Sequence, residues 1–172
     1  RSSDLAITAS LLSDDAHWFV GSEETEAGAG WDYGTFVESL GAGLDTQTVG
    51  ESICDSYLEK SAVRHKDATT TLASVDLGKV AQVCDALGNA LASTRTAKGD
   101  DTAAMRALAY GVRQAECFGG ASDNEGHTNL VDLMGVAQEA ATSPEYGTAW
   151  QELADALGEA VPYHVCGKAT IA

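Results

Sequence analysis

Positive charge is scarce in this chain. Its 172 residues carry 10 Lys and Arg against 26 Asp and Glu, a formal net charge of −16. Such a surface repels phosphate backbones and anionic lipid headgroups, which makes nucleic acid and membrane surfaces poor candidate partners. It would attract cationic peptides or divalent cations, although a solvated acidic exterior is the plainer reading. Long apolar runs are missing too: no stretch approaches the ~18 residues that a membrane span requires. The start, Arg1-Ser2-Ser3-Asp4, has neither an initiator Met nor a signal-peptide hydrophobic core, and reads as a processed or excised piece, or as residues carried over from a vector.

Paired cysteines are lacking as well. Cys54, Cys84, Cys117 and Cys166 stand about thirty residues apart without the C-x-x-C pairs of zinc sites. Their even number allows two disulfides, but Cys54 and Cys84 fall on apolar helix stripes and equally suit buried free thiols. No local signature joins a cysteine to one of the four histidines as nucleophile and base. His164 and Cys166 share a strand face but make a dyad only if a cleft runs there. His65 sits among charges and His127 in a Gly/Asn loop, so both read as solvated, whereas His17 reads as packed. No residue of the chain is assigned a catalytic or a metal-ligating role. Carboxylate neighbours such as Asp14-Asp15 and Asp100-Asp101 are expected by chance among 26 acids.

What is present is an apolar content of 44%, enough for one substantial core, so a single domain or fragment over residues 1–172 is the default. His17 to Val20 is short, aromatic and β-branched and reads as a buried strand feeding the glycine-rich stretch 21–34. Asp32 is placed to cap a helix with Phe36, Val37 and Leu40 on one face. A second helix begins at Thr46 or Thr48, its core face formed by Val49, Ile53, Cys54, Tyr57 and Leu58. Thr69 to Val75 alternates as a strand. Val80, Val83, Cys84, Leu87 and Leu91 form a helical stripe, followed by a polar linker from Ser93 to Asp101. Thr102 would cap the next helix, carrying Met105, Leu108, Ala109 and Val112, and 119–129 is a turn-rich loop. Helices near 130–141 and 144–160 and a last strand over Val161–Cys166 complete the pattern. Strands interleaved with more numerous helices imply an α/β fold, helix-rich, with a few strands and about six helices.

Glu23-Glu24 opens a glycine-rich loop at the end of a strand, where α/β folds place their ligands. Hard oxygen donors at Glu23, Glu24, Glu26 and Asp32 are compatible with Ca²⁺, though no EF-hand spacing supports it. The run Phe19-Val20-Gly21-Ser22-Glu23-Glu24-Thr25-Glu26-Ala27-Gly28-Ala29-Gly30-Trp31-Asp32-Tyr33 resembles the clostripain family of cysteine peptidases, in which a strand ending in G/A-S-E-E leads into a P-G-x-G-W-x-Y loop. Thr71-Leu72-Ala73-Ser74-Val75-Asp76-Leu77-Gly78-Lys79 is similar to the family's T-L-S-x-x-D-L-S-K segment. Val131-Asp132-Leu133 and Ala160-Val161-Pro162-Tyr163 match two weaker stretches.

The resemblance implies a caspase-like α/β sandwich and an exported bacterial endopeptidase, secreted or held at the cell envelope. It further implies cleavage after basic residues by a Cys/His dyad with an acidic S1 pocket. The family's His-Gly segment would lie upstream of residue 1, and its D-x-C nucleophile would fall near position 1, where Arg1 stands. The chain therefore corresponds to the region after the nucleophile, and its implied partners are the upstream half bearing the dyad and a peptide substrate. Ser22, Glu23, Glu24, Trp31 and Asp32 are the substrate-binding candidates. The loop departs from the family pattern at Ala27, which replaces proline, and at Ala29, which replaces an acidic residue. The rival reading is a non-catalytic pseudopeptidase or an acidic binding or scaffold domain.

Overall fold

The computed structural model describes residues 4–22, 30–63, 70–115, 117–118 and 130–167. In chain order the elements are α1 (Asp4–Leu12), β1 (Trp18–Gly21), α2 (Tyr33–Gly41), α3 (Thr46–Val63), β2 (Thr71–Asp76), α4 (Val80–Lys98), α5 (Asp101–Gln114), β3 (Cys117–Phe118), β4 (Leu130–Val131), α6 (Leu133–Ala141), α7 (Gly147–Ala160) and β5 (Tyr163–Cys166). They form two compact units, one of residues 1–78 with 161–172 and one of residues 79–160. The helix-rich α/β class expected from the sequence is the class observed. Seven α-helices stand among the described residues, and α1 is a helix for which the sequence reading makes no provision.

The first unit is built on a three-stranded antiparallel sheet ordered β1-β2-β5, with Val20 opposite Ser74 and Leu72 opposite Val165. The β-branched content of Thr71–Asp76 suits the central position, where Leu72, Ser74 and Val75 are all buried. β1 lies at an edge of this sheet, and its Trp18, Phe19 and Val20 are half-buried rather than buried as the aromatic run suggests. α3 lies on the sheet, and Val49, Ile53, Cys54 and Tyr57 close a core with Leu72, joined by Val20, Trp31, Phe36, Tyr163 and Val165. The spacing of those α3 residues places them on one face, as the sequence requires. The cap of α3 is Asp45, whose carboxylate accepts from the Thr48 amide (3.1 Å) and hydroxyl (2.7 Å). On α2, by contrast, Val37 and Leu40 are 62% and 55% exposed, so only Phe36 of the expected stripe reaches the core.

α3 approaches the sheet closely at Gly50, where an added Cβ would stand 2.5 Å from Ser74 Oγ. Ser74 Oγ is buried and has no hydrogen-bond partner among the described residues. Gly50→Ala should therefore cost about 1–3 kcal/mol of overpacking in urea unfolding, with part of the loss recovered in a Ser74→Ala background. Ser74→Ala alone should be neutral or stabilising, because it removes an unpaired buried hydroxyl.

The second unit is helical, with a β3-β4 antiparallel pair at its side. Ala90, Val136, Ala137, Trp150, Leu153 and Ala154 form its core. The polar stretch from Ser93 is not a linker: α4 continues to Lys98, and Gly99 ends it at φ +74°. The hydroxyls of Thr94 and Thr96 bond back to the carbonyls of Ala90 (3.0 Å) and Ala92 (2.9 Å), which makes a polar run compatible with helix. Asp100, not Thr102, caps α5, accepting from the Ala103 amide at 2.7 Å. Leu130–Val131 pairs as a strand, so α6 starts only after Asp132, whose carboxylate accepts from the amides of Met134 and Gly135. α7 begins at Gly147 instead of Pro144, because a turn brings Gly147 against the Ala141 carbonyl, where no Cβ would fit. Met105 and Val112 of α5 face solvent, and Cys84 is exposed rather than core. The loop expected at 119–129 lies outside the described residues.

Candidate functional site

The glycine-rich loop leaves the sheet where β1 ends, and both of its ends are tied to the first unit. At the start, Ser22 Oγ lies 3.0 Å from Thr71 Oγ1 of the central strand. At the finish, the Trp31 carbonyl accepts from Lys60 Nζ of α3 at 2.7 Å, and the indole packs on the α3 core. Asp32 then caps α2, its Oδ1 accepting from the Gly34 amide at 3.1 Å. Glu23, Glu24 and Glu26 lie outside the described residues, as do Ala27 and Ala29. Three of the four oxygen donors weighed for Ca²⁺ are thus not placed. Among the described residues no cluster of three or more His, Cys, Asp or Glu is disposed to hold a metal ion.

Asp32 has a setting the sequence does not announce. With Thr35 of α2 it lines a groove of about 340 Å³, whose other side is Thr48, Glu51, Ser52, Asp55, Ser56 and Glu59 of α3. Four carboxylates and four hydroxyls face this space, and among the described residues no Lys or Arg lines it. Glu51, Asp55 and Glu59 recur every fourth residue and so share one helix face, a signal present in the sequence but hidden among 26 acids. Such a row costs the helix about 0.2–0.5 kcal/mol per like-charge pair. Lys60, the nearest cation in sequence, is directed to the Trp31 carbonyl. Asp55 also accepts from the Tyr163 hydroxyl of β5 at 2.6 Å, and that bond raises the phenol to about 12.

Cys54 is wholly buried on α3, and burial, reinforced by Asp55 and Glu51, pushes its thiol from an ordinary 9.0 to about 12. It is the opposite of an activated nucleophile. In the native protein at pH 8, iodoacetamide should label Cys84 and leave Cys54 unmodified until denaturant is added, as peptide mass mapping would read. Because the folded state holds the Cys54 proton more tightly than the unfolded chain does, the folded form binds more protons between pH 9 and 12. Its contribution is complete below pH 9 and is lost as pH rises toward 12. Cys54, Cys84 and Cys166 are all free, so the two-disulfide alternative is not realised. His164 is exposed and Cys166 half-buried opposite Thr71, while His17 is exposed rather than packed. His65 and His127 lie outside the described residues.

A sequence profile of the clostripain family, peptidase C11, matches residues 8–164. The chain belongs to the clostripain family. It is thus related to cysteine proteases, and its fold is the caspase-like α/β fold of that family. The clostripain-like chain is similar to a secreted C11 cysteine protease from Bacteroides thetaiotaomicron, solved in complex with an irreversible peptide inhibitor, with a TM-score of 0.60 and 16% identity. That match covers 93% of this chain and 41% of that one. A B. fragilis cysteine protease aligns with a TM-score of 0.53 and 14% identity over 94% of this chain and 62% of that one. The clostripain-like chain therefore spans less than two thirds of either structure. No curated protein sequence matches it. No helix among the described residues is long and apolar enough to cross a membrane.

Proposed function

We propose that residues 1–172 are the post-nucleophile region of a secreted, bacterial clostripain-like endopeptidase, supplying the loop and groove that select a basic residue in a peptide substrate. The observation that carries this reading is the acidic groove of Asp32, Glu51, Asp55 and Glu59, which begins where the 22–32 loop returns to the fold. A Lys or Arg side chain entering it would meet four carboxylates with no competing cation among the described residues, and charge-assisted hydrogen bonds to such groups are the strong ones. It would also relieve the repulsion along the α3 row. In this reading Ser22 and Trp31 hold the loop's ends, and Glu23 and Glu24 add carboxylates beyond Asp32. The Cys/His dyad comes from an upstream half, which has β1's edge to pair with.

Co-expression of this chain with the upstream half of a clostripain-like peptidase tests the proposal. Hydrolysis of Arg- and Lys-containing reporter peptides should appear only when both halves are present. Hydrolysis no greater than background, with both halves folded and associated, would leave the acidic binding or scaffold domain as the better reading.

A further inference from the structure

The second unit presents a surface of opposite character to the groove. Of the five basic side chains in Lys79–Ala160, three are neutralised within it: Lys79 by Glu159 at 3.1 Å, Arg95 by Asp101 at 2.6 Å, and Lys98 by Glu145. The other two, Arg106 and Arg113, are exposed on α5 and make no ion pair or hydrogen bond among the described residues. Seven residues apart on one helix, they lie on the same face about 10 Å from each other. Tyr110, 61% exposed, falls between them at the i+4 position, and Met105 and Val112 flank the row at 66% and 37% exposed. The opposite face of α5 is the one that packs: Ala104 and Gly111 are buried, and Gly111 lies against Val136 of α6. The only acid on α5, Asp101, is already engaged by Arg95.

We infer that the Arg106-Tyr110-Arg113 face of α5 docks an acidic polypeptide segment that presents two carboxylates about 10 Å apart, with an apolar side chain between them. Each guanidinium offers a carboxylate a bidentate fork, and the tyrosine supplies the rigid aromatic contact on which interfaces concentrate their energy. The charge balance selects this partner. Nucleic acid and anionic membranes bring dense negative charge against a chain of net −16 and are repelled by it, and a second copy of the chain brings the same net charge. A segment with a few well-spaced carboxylates gains the two arginines without that cost. The inference involves none of the groove residues and stands apart from the peptidase reading.

The probe is a labelled synthetic helical peptide with two glutamates seven residues apart and a leucine four residues after the first. Titrated against the 172-residue protein at low ionic strength and followed by fluorescence anisotropy, it should bind saturably and weaken with added salt. Arg106→Glu/Arg113→Glu should reduce affinity by about ten-fold or more, as should a peptide with glutamine for both glutamates. Arg106→Gln/Arg113→Gln, which keeps the side-chain polarity and leaves α5 intact, serves if the reversal variant melts early. Absence of binding, undiminished binding to a folded variant, or tighter binding to heparin or phosphatidylserine vesicles than to the peptide would overturn it.

Discussion

Replacing Trp150 by alanine is expected to remove about 3–5 kcal/mol from the helical unit, the range for deleting a large aromatic from a packed core. Trp150 is 1% exposed and sits among Ala90, Val136, Ala137, Leu153 and Ala154, small neighbours that cannot expand into the vacated space. The loss includes a polar component. The indole Nε1 donates to Thr94 Oγ1 at 2.7 Å, and that hydroxyl donates in turn to the Ala90 carbonyl at 3.0 Å, so the pair is satisfied without water. Thr94→Val strands the indole N–H and should cost about 1–3 kcal/mol, the usual penalty for a buried donor left unpaired. Because the two residues share one bond, the double variant should lose less than the sum. Guanidinium unfolding of the four proteins measures this cycle. Since domains are stable by only about 5–15 kcal/mol, Trp150→Ala should shift the midpoint visibly, and an unchanged midpoint would refute this core assignment.

The second large effect is on catalysis by the complemented peptidase. Glu51→Gln, Asp55→Asn and Glu59→Gln together keep the shape of the groove but remove three of its four charges. A charge-assisted hydrogen bond contributes about 1.5–3 kcal/mol, and 1.4 kcal/mol is a factor of ten. The triple variant should therefore lose on the order of 100-fold in kcat/KM toward Arg and Lys reporters. A reporter with a neutral residue at the same position should change little, and the ratio of the two is the diagnostic quantity. An equal loss on both would mean that the groove supports the fold and does not select substrate. Asp32 is left untouched because it also caps α2, and the Asp55 change takes the charge out of the Tyr163 bond, so the melting temperature of the variant needs recording alongside.

The elements that the chain announces are those whose signal is local. The four-residue rhythm of Val49, Ile53, Cys54 and Tyr57 marks α3, the β-branched run at Thr71–Asp76 marks β2, and Asp32 caps α2 by its own side chain. Boundaries are less legible where polar residues serve a helix unexpectedly. The hydroxyls of Thr94 and Thr96 turn back on their own helix, so α4 absorbs a stretch whose composition reads as a linker. Cys84 and Leu91 sit on an apolar stripe, yet Cys84 is exposed and Leu91 is 42% exposed, because the width of a buried face depends on how many neighbours pack against it. Asp32 was visible as a candidate from the loop that it ends. Glu51, Asp55 and Glu59 were visible only as three of many acids, and the packing of α2 beside α3 singles them out.

By itself the sequence determined the α/β class, the strongly acidic character, and the motif at Phe19–Tyr33 that resembles a peptidase family. These depend on residue types and on spacing along the chain, which survive without coordinates. Only the tertiary structure decided that β1 lies at a sheet edge, that residues 79–160 form a compact helical unit with its own core, and that carboxylates nearly thirty residues apart in sequence line one groove. The reason is physical: burial and electrostatic fields are set by distances across the fold, and those distances arise only once helices pack on the sheet and on one another.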